Sequence, residues 1–76
     1  MNGDRDVQRT YQVRRMEVFA RLVSDHRLRL LDAEHWVRAW EAKAEDLGRP
    51  RTSEDFWQEG WRWIVGEMAL DRPESH

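Results

Sequence analysis

Hydrophobic residues recur along three stretches of the chain at steps of three and four, the spacing that places side chains on one face of an α-helix. The clearest stretch follows Asp32, a residue type that caps helix N-termini well. Its apolar positions are Ala33, Trp36, Val37, Trp40, Ala44 and Leu47. Gly48 suits the position just after a helix, and Pro50 follows closely. The pattern predicts a helix over about residues 33–47.

The stretch before it predicts a helix over about residues 7–24. Its shared face carries Tyr11, Val18, Phe19, Leu22, Val23 and His26. We expect His26 to be a packed or C-terminal-capping histidine, because no second ligand-type residue stands at helical spacing from it. Residues 1–6 show no apolar periodicity and predict an extended N-terminal arm.

The third helix is predicted over about residues 53–70, with Thr52 or Ser53 as its N-cap. Its apolar positions cover a wide arc formed by Phe56, Trp57, Gly60, Trp61, Trp63, Ile64, Val65 and Met68. A glycine inside a helix costs about 1 kcal/mol relative to alanine. Gly60 therefore predicts the close approach of another backbone or of a large ring.

Residues 26–31 are predicted to connect the first two helices, with their leucines held against the core, and residues 71–76 to form a frayed tail. The chain contains 76 residues, which is enough for one core but not for two. The predicted fold is all-α: a small three-helix domain with an extended N-terminal arm.

The composition excludes several kinds of chemistry. The chain has no cysteine, so it can form neither a disulfide, nor a thiolate nucleophile, nor a cysteine-ligated metal site. Its four glycines are scattered rather than gathered in a phosphate-binding loop, and its three histidines lack ligand spacing. We therefore expect no metal site and no independent active site. The absence of cysteine suits a reducing cytoplasm, where we expect the chain to be. No apolar run approaches the length of a membrane span and the N-terminus is charged, so we expect no membrane partner.

The charge is small overall but unevenly distributed. A formal net charge of −2 argues against general binding to nucleic acids. Residues 1–31 carry seven arginines against four acids, whereas residues 32–76 carry six basic residues against eleven acids. Such asymmetry indicates either a polarised surface for a protein partner or nothing about function. A small transcriptional or antitoxin-like module remains an alternative, although the third helix is acidic and aromatic rather than basic.

Tryptophan is unusually frequent for so short a chain. Each of the five tryptophans can bury on the order of 150–250 Å². The combined apolar surface of the three helices is larger than we expect one small core to enclose. An interface with another protein is the preferred interpretation.

Arg38 points almost opposite the apolar face of the second helix, at about 100° per residue. Glu34 stands four residues before it and Glu41 three residues after it. One interpretation is an ordinary surface ion pair, which contributes only tenths of a kcal/mol. The other is an arginine that two carboxylates brace for use on a partner, and the pattern alone leaves both open.

Four segments in order resemble the N-terminal helical part of the nitrile hydratase β subunit and the related activator proteins. They are Met-Asn-Gly-Asp-Arg-Asp-Val at 1–7, Arg-Arg-Met-Glu-Val-Phe-Ala at 14–20, the stretch 28–41, and Asp-Phe-Trp-Gln-Glu-Gly-Trp at 55–61. On a gapless match, Arg38 falls on an arginine of that family. The resemblance does not extend to the family's C-terminal barrel. It thus implies either a β subunit split into two chains, as in the three-subunit toyocamycin nitrile hydratase, or a short activator that acts as a metallochaperone.

The resemblance also implies partners and site residues. Nitrile hydratases hold Co(III) or Fe(III) in the α subunit, and the β subunit supplies arginines that hydrogen-bond the oxidised cysteine ligands. Arg38 would be such a catalytic arginine, and Phe56 and Trp57 would help to line the substrate channel. The expected partners are the α subunit and a separate chain that carries the β C-terminal barrel. This chain itself would bind no metal.

Overall fold

The computed structural model describes residues 2–70, with side chains described from residue 6 onward. It contains three helices: α1 (Asn2–Asp25), α2 (Leu30–Asp46) and α3 (Phe56–Leu70). No strand occurs between residues 2 and 70, and each helix contacts the other two. The predicted all-α, three-helix fold is confirmed. The predicted tail at 71–76 lies outside the described residues.

Helix α1 begins earlier than its hydrophobic pattern predicts. Residues 2–6, predicted as an extended arm, continue the helix to Asn2, so that prediction is wrong for these residues. Once a helix has formed, each further residue adds a backbone hydrogen bond at little cost, and no proline interrupts this segment. Apolar periodicity marks only the helical positions that pack on a core, so it does not reveal a helix that continues through polar residues.

Helix α2 also begins earlier, at Leu30, and its N-cap is Arg29 rather than Asp32. The carbonyl of Arg29 accepts a hydrogen bond from the Ala33 N–H at 2.9 Å, whereas Asp32 lies within the first turn. The prediction of Asp32 as the cap is wrong. The hydrophobic pattern starts at Ala33, the first buried position of α2, but the helix already begins one turn earlier on the surface.

The connector between α1 and α2 is shorter than predicted. Leu28 is half-buried against the core, and its N–H donates to the Leu22 carbonyl at 3.2 Å. Leu30 and Leu31 belong to α2 and are 65% and 85% exposed, so the prediction that they are held against the core is wrong. In the first turn of α2, the side chains of Leu30 and Leu31 point away from the other two helices.

The C-terminus of α2 follows its prediction closely. Gly48 has φ +71°, a left-handed conformation that favours glycine. Its N–H donates to the Glu45 carbonyl at 3.0 Å, and the Arg49 N–H donates to the Ala44 carbonyl at 2.8 Å. This pair of bonds is a Schellman motif. Helix α3 starts only at Phe56, three residues later than predicted, because residues 53–55 form a separate turn.

The core is built from all three helices and from many aromatic rings. Its buried members are Val18, Leu22, Ala33, Val37, Trp40, Ala44, Phe56, Trp57 and Ile64. The other three tryptophans, Trp36, Trp61 and Trp63, are half-buried against this cluster. Most of the indole surface is thus accommodated within the chain itself, and the strongly exposed hydrophobic side chains are aliphatic.

Two further predictions about packing are confirmed. Gly60 lies directly against the Trp40 ring, which is the large ring that its position in a helix predicts. His26 is half-buried, with its ring centroid 5.5 Å from that of Trp61, and is therefore a packed histidine.

Candidate functional site

A network of charged side chains joins α1 to α2, with Arg15 at its centre. The Arg15 guanidinium donates to both oxygens of Glu41, from Nε at 3.2 Å and from Nη2 at 3.3 Å. The same Nη2 donates to Glu34 Oε2 at 3.1 Å. Because the arginine fork is rigid, three such bonds fix its orientation.

Arg38 lies at the exposed end of this network. Its Nε donates to Glu34 Oε2 at 2.7 Å, so the predicted brace by Glu34 is confirmed. The side chain is 75% exposed, and within the described part of the chain its two terminal nitrogens form no hydrogen bond. The Arg38 guanidinium is therefore bonded at Nε and can still donate hydrogen bonds from its two terminal nitrogens.

The predicted brace of Arg38 by Glu41 is wrong. Glu41 turns instead toward Arg15, and it also accepts a hydrogen bond from the Tyr11 hydroxyl. Arg15 offers this half-buried carboxylate two hydrogen-bond donors from the neighbouring helix. An ion pair between Glu41 and the exposed Arg38 would be weaker.

Tyr11 connects the charged network to the aromatic core. Its ring centroid lies 5.4 Å from that of Trp57 and 5.8 Å from that of Phe56. Burial raises the pKa of Tyr11, and the hydrogen bond and negative charge of Glu41 raise it further. The phenol therefore remains a donor to Glu41 throughout the neutral range.

The charges of the network reinforce one another. Burial by itself would lower the pKa of Arg15, but hydrogen bonds to Glu41 and Glu34 outweigh it and raise the pKa overall. The pKa of Glu34 is lowered, first by its hydrogen bond from Arg38 and then by that from Arg15. Both groups are therefore ionised at neutral pH.

Phe56 and Trp57, predicted as channel-lining residues, lie in the core of this chain. Phe56 is 2% exposed and borders neither of the two surface grooves described next. Trp57 is 5% exposed, yet it borders both. Of the pair, only Trp57 is placed where a molecule at the surface of this chain could meet it.

The two grooves lie beside α1 and the segment 51–62. One, of about 340 Å³, runs between α1 and α3, and Arg21 stacks over the Trp61 ring at its edge, 4.3 Å from the centroid. The other, of about 250 Å³, lies beside Tyr11 and Arg51. Arg38 borders neither groove, so the predicted catalytic arginine and Trp57 are not brought together within this chain.

Arg15 is absent from the residues predicted for the site, although the sequence contains a signal for it. Tyr11, Arg15, Val18 and Leu22 follow one another at steps of four, three and four, so Arg15 stands on the apolar face of α1. An arginine in that position needs a charged partner from another helix. Glu34 and Glu41 are those partners.

The side chains of residues 6–70 contain no group of three histidine or acidic residues that could hold a metal ion. Within the described chain, no helix combines the length and the apolar character needed to cross a membrane. Chemically, the exposed guanidinium of Arg38 can offer hydrogen-bond donors to an anionic group. No protein-family model, curated protein or solved structure matches the chain.

Proposed function

We propose that the chain is a small helical subunit of a nitrile hydratase-type enzyme, which adds water to a nitrile to give an amide. In this proposal the chain docks on a metal-bearing α subunit and directs Arg38 at the oxidised cysteine ligands of that subunit. A separate chain with the β C-terminal barrel completes the complex, which we expect in the cytoplasm. The resemblance of the four sequence segments names the family, and the arrangement of Arg38 supports the role.

The observation that carries the proposal is the state of Arg38. An exposed arginine normally has a mobile side chain and gains little from an ion pair. Here Glu34 accepts from Nε at 2.7 Å, while neither terminal nitrogen has a hydrogen-bond partner among the side chains of residues 6–70. Cysteine oxygens that carry negative charge are acceptors of the kind that a two-nitrogen donor fork matches.

The surroundings of Arg38 also suit an interface. Leu31 stands seven residues before Arg38, so the two share one face of α2, and it is 85% exposed. Leu30 beside it is exposed as well, and so is Met16, the residue after Arg15 on α1. Exposed aliphatic side chains on the two helices that carry Arg15 and Arg38 are typical of a surface that becomes buried against a partner.

The resemblance to nitrile hydratases implies how the chemical work is divided. The metal ion, Co(III) or Fe(III), belongs to the α subunit and supplies Lewis-acid activation of the nitrile or of water. The contribution of this chain is to donate hydrogen bonds from Arg38 to the ligand oxygens and so to orient them. Lysine could supply the charge but not the planar fork.

The test is reconstitution with an α-type chain that carries Cys-x-x-Cys-Ser-Cys and with a barrel-only β chain, taken from reading frames beside this one. We expect a stable stoichiometric complex that hydrates a small nitrile. Arg38→Lys should leave the complex intact and lower turnover about 10- to 100-fold, the usual effect of losing a group that orients metal ligands. Arg9→Lys, at an exposed arginine of α1 that borders neither groove, is the matched control and should keep full activity. Full activity of Arg38→Lys would remove the catalytic role.

The same complex separates the two alternatives from the subunit role. An activator would leave the α subunit after metal insertion, so gel filtration of the mature enzyme would find it without this chain. A transcriptional or antitoxin-like module would bind DNA, and a mobility shift with random-sequence DNA at low salt would detect it. Either result would contradict the proposal.

A further inference from the structure

We propose that Arg15 is the positioning residue that fixes Arg38, acting through Glu34. The catalytic consequence rests on the proposed function above, but the positioning itself is a property of this chain alone. Arg15 lies in a segment that carries the resemblance to nitrile hydratase, but the resemblance assigns it no role.

The geometry points to this role because one oxygen atom serves both arginines. Glu34 Oε2 accepts from Arg38 Nε at 2.7 Å and from Arg15 Nη2 at 3.1 Å. Glu34 and Arg38 lie one helical turn apart on the surface of α2. If they paired only with each other, both side chains would keep most of their rotational freedom. Arg15 removes that freedom from the Glu34 carboxylate.

Arg15 can restrict Glu34 because its own side chain is fixed by Glu41. Its side chain is 24% exposed, and Glu41 receives two of its N–H groups. Glu41 is in turn fixed by the Tyr11 hydroxyl, and the Tyr11 ring packs on Trp57. The chain of contacts thus runs from the rigid aromatic core to the exposed guanidinium of Arg38.

A simpler role for Arg15 would be to tie α1 to α2 without any effect on Arg38. The two roles differ in one observable, which is the order of the Arg38 side chain in a variant that still folds. The Nε–H of an arginine gives its own signal in an ¹⁵N–¹H spectrum. The heteronuclear NOE of that signal reports motion on the picosecond to nanosecond scale.

The experiment compares Arg15→Lys with Arg14→Lys in the full chain. Lysine at 15 keeps the charge but cannot bond Glu41 twice and Glu34 at the same time. We expect Arg15→Lys to lose the ordered Arg38 Nε–H signal while the helical circular dichroism is retained. Arg14 pairs only locally with Glu17 at 3.2 Å, so Arg14→Lys should leave the Arg38 signal unchanged.

A second variant guards against a failure of Arg15→Lys to fold. Glu41→Gln weakens the hold on Arg15 and leaves Glu34 and Arg38 untouched, so it should also loosen Arg38. An ordered Arg38 signal in either folded variant overturns the proposal. If neither variant folds, Arg15 is required for folding and the positioning role is withdrawn.

In the reconstituted enzyme, Arg15→Lys should lower kcat about tenfold and leave KM unchanged, because it disturbs an orienting group and not the substrate pocket. The two proposals can fail separately. If the chain binds no α subunit, the proposed function fails and the NMR result on Arg38 still stands. If Arg38 stays ordered without Arg15 while Arg38→Lys is inactive, only the positioning role fails.

Discussion

Gly60 of α3 lies against the indole ring of Trp40 in α2, with no space between them for a side chain. A Cβ atom added to Gly60 would lie 2.8 Å from Trp40 Cε2 and closer still to Nε1 and Cδ1. Trp40 is also buried against Phe56 and Trp63, with centroids 5.3 and 5.8 Å away, so the ring has no free direction in which to move. The closeness of α2 and α3 depends on this glycine.

Gly60→Ala should therefore destabilise the protein in spite of the better helix propensity of alanine. Overpacking of this kind costs about 1–3 kcal/mol in a well-packed core. Gly66 of the same helix is the matched control, because an added Cβ there meets nothing within 4 Å. Gly66→Ala should raise the free energy of unfolding by up to about 1 kcal/mol. Urea unfolding of both variants measures the contrast, and equal effects of the two would contradict the packing described here.

The N-terminus of α2 gives a second prediction. Arg29 has the extended backbone of an N-cap, φ −70° and ψ 158°, but its side chain makes no capping hydrogen bond. Arg29→Asn should supply one and raise the free energy of unfolding by about 1 kcal/mol. Arg29→Ala is the control and should give no gain. If Asp32 were the cap after all, neither substitution would stabilise the protein, and thermal unfolding would show no difference.

The hydrophobic pattern predicted the parts of the fold that depend on burial. Val37, Trp40 and Ala44 are core residues as expected, and Gly48 ends α2 as expected. The pattern failed at the start of α2, where the first turn lies on the surface and burial gives no signal. The exposure of Leu31 shows the same limit, because an apolar residue type does not reveal which way the first turn points.

The candidate site was predictable only where it depends on residues in one helix. Glu34 and Arg38 are one turn apart, so their contact follows from helix geometry. The partner of Glu41 comes from α1, and a sequence gives no distance between side chains that are 26 residues apart. The packing of α1 on α2 decides that Glu41 pairs with Arg15 and not with Arg38.

Glu34 should make the free energy of unfolding depend on pH in the acid range. Its pKa lies below the ordinary value of 4.5, because Arg38 and then Arg15 donate to the charged form. The folded state therefore binds the proton less readily than the unfolded state. The resulting stability is present above 4.5 and is lost as the pH falls through the folded pKa. Glu34 is partly exposed, so we expect about 1 kcal/mol or less.

The measurement is chemical unfolding of wild type and Glu34→Gln across the acid range. Wild type should be the more stable of the two at neutral pH, and the difference should vanish at acid pH once Glu34 is protonated. Glu17→Gln, which affects only the exposed pair with Arg14, is the control and should show a smaller difference. A wild-type advantage that persists after protonation would show that charge is not its source.

Tyr11 should make the free energy of unfolding fall as the pH rises in the alkaline range. Burial raises its pKa above the ordinary value of 10.0, and the hydrogen bond and charge of Glu41 raise it further. The folded state therefore holds the phenol proton more tightly than the unfolded state. The stability from this group is present below pH 10.0 and is lost as the pH rises through the folded pKa.

Because Tyr11 is the single tyrosine of the chain, tyrosinate absorbance follows it without interference. We expect the folded protein to titrate well above 10.0, and the urea-unfolded protein to titrate near 10.0. Glu41→Gln removes the negative charge but leaves the burial, so its midpoint should lie between those two. Tyr11→Phe should lose about 1 kcal/mol at neutral pH, the value of one hydrogen bond, and should show no alkaline loss from this site. A folded protein whose tyrosine titrates at its ordinary value would mean that the Tyr11 hydroxyl faces water, and the link from the aromatic core to Arg15 would then be broken.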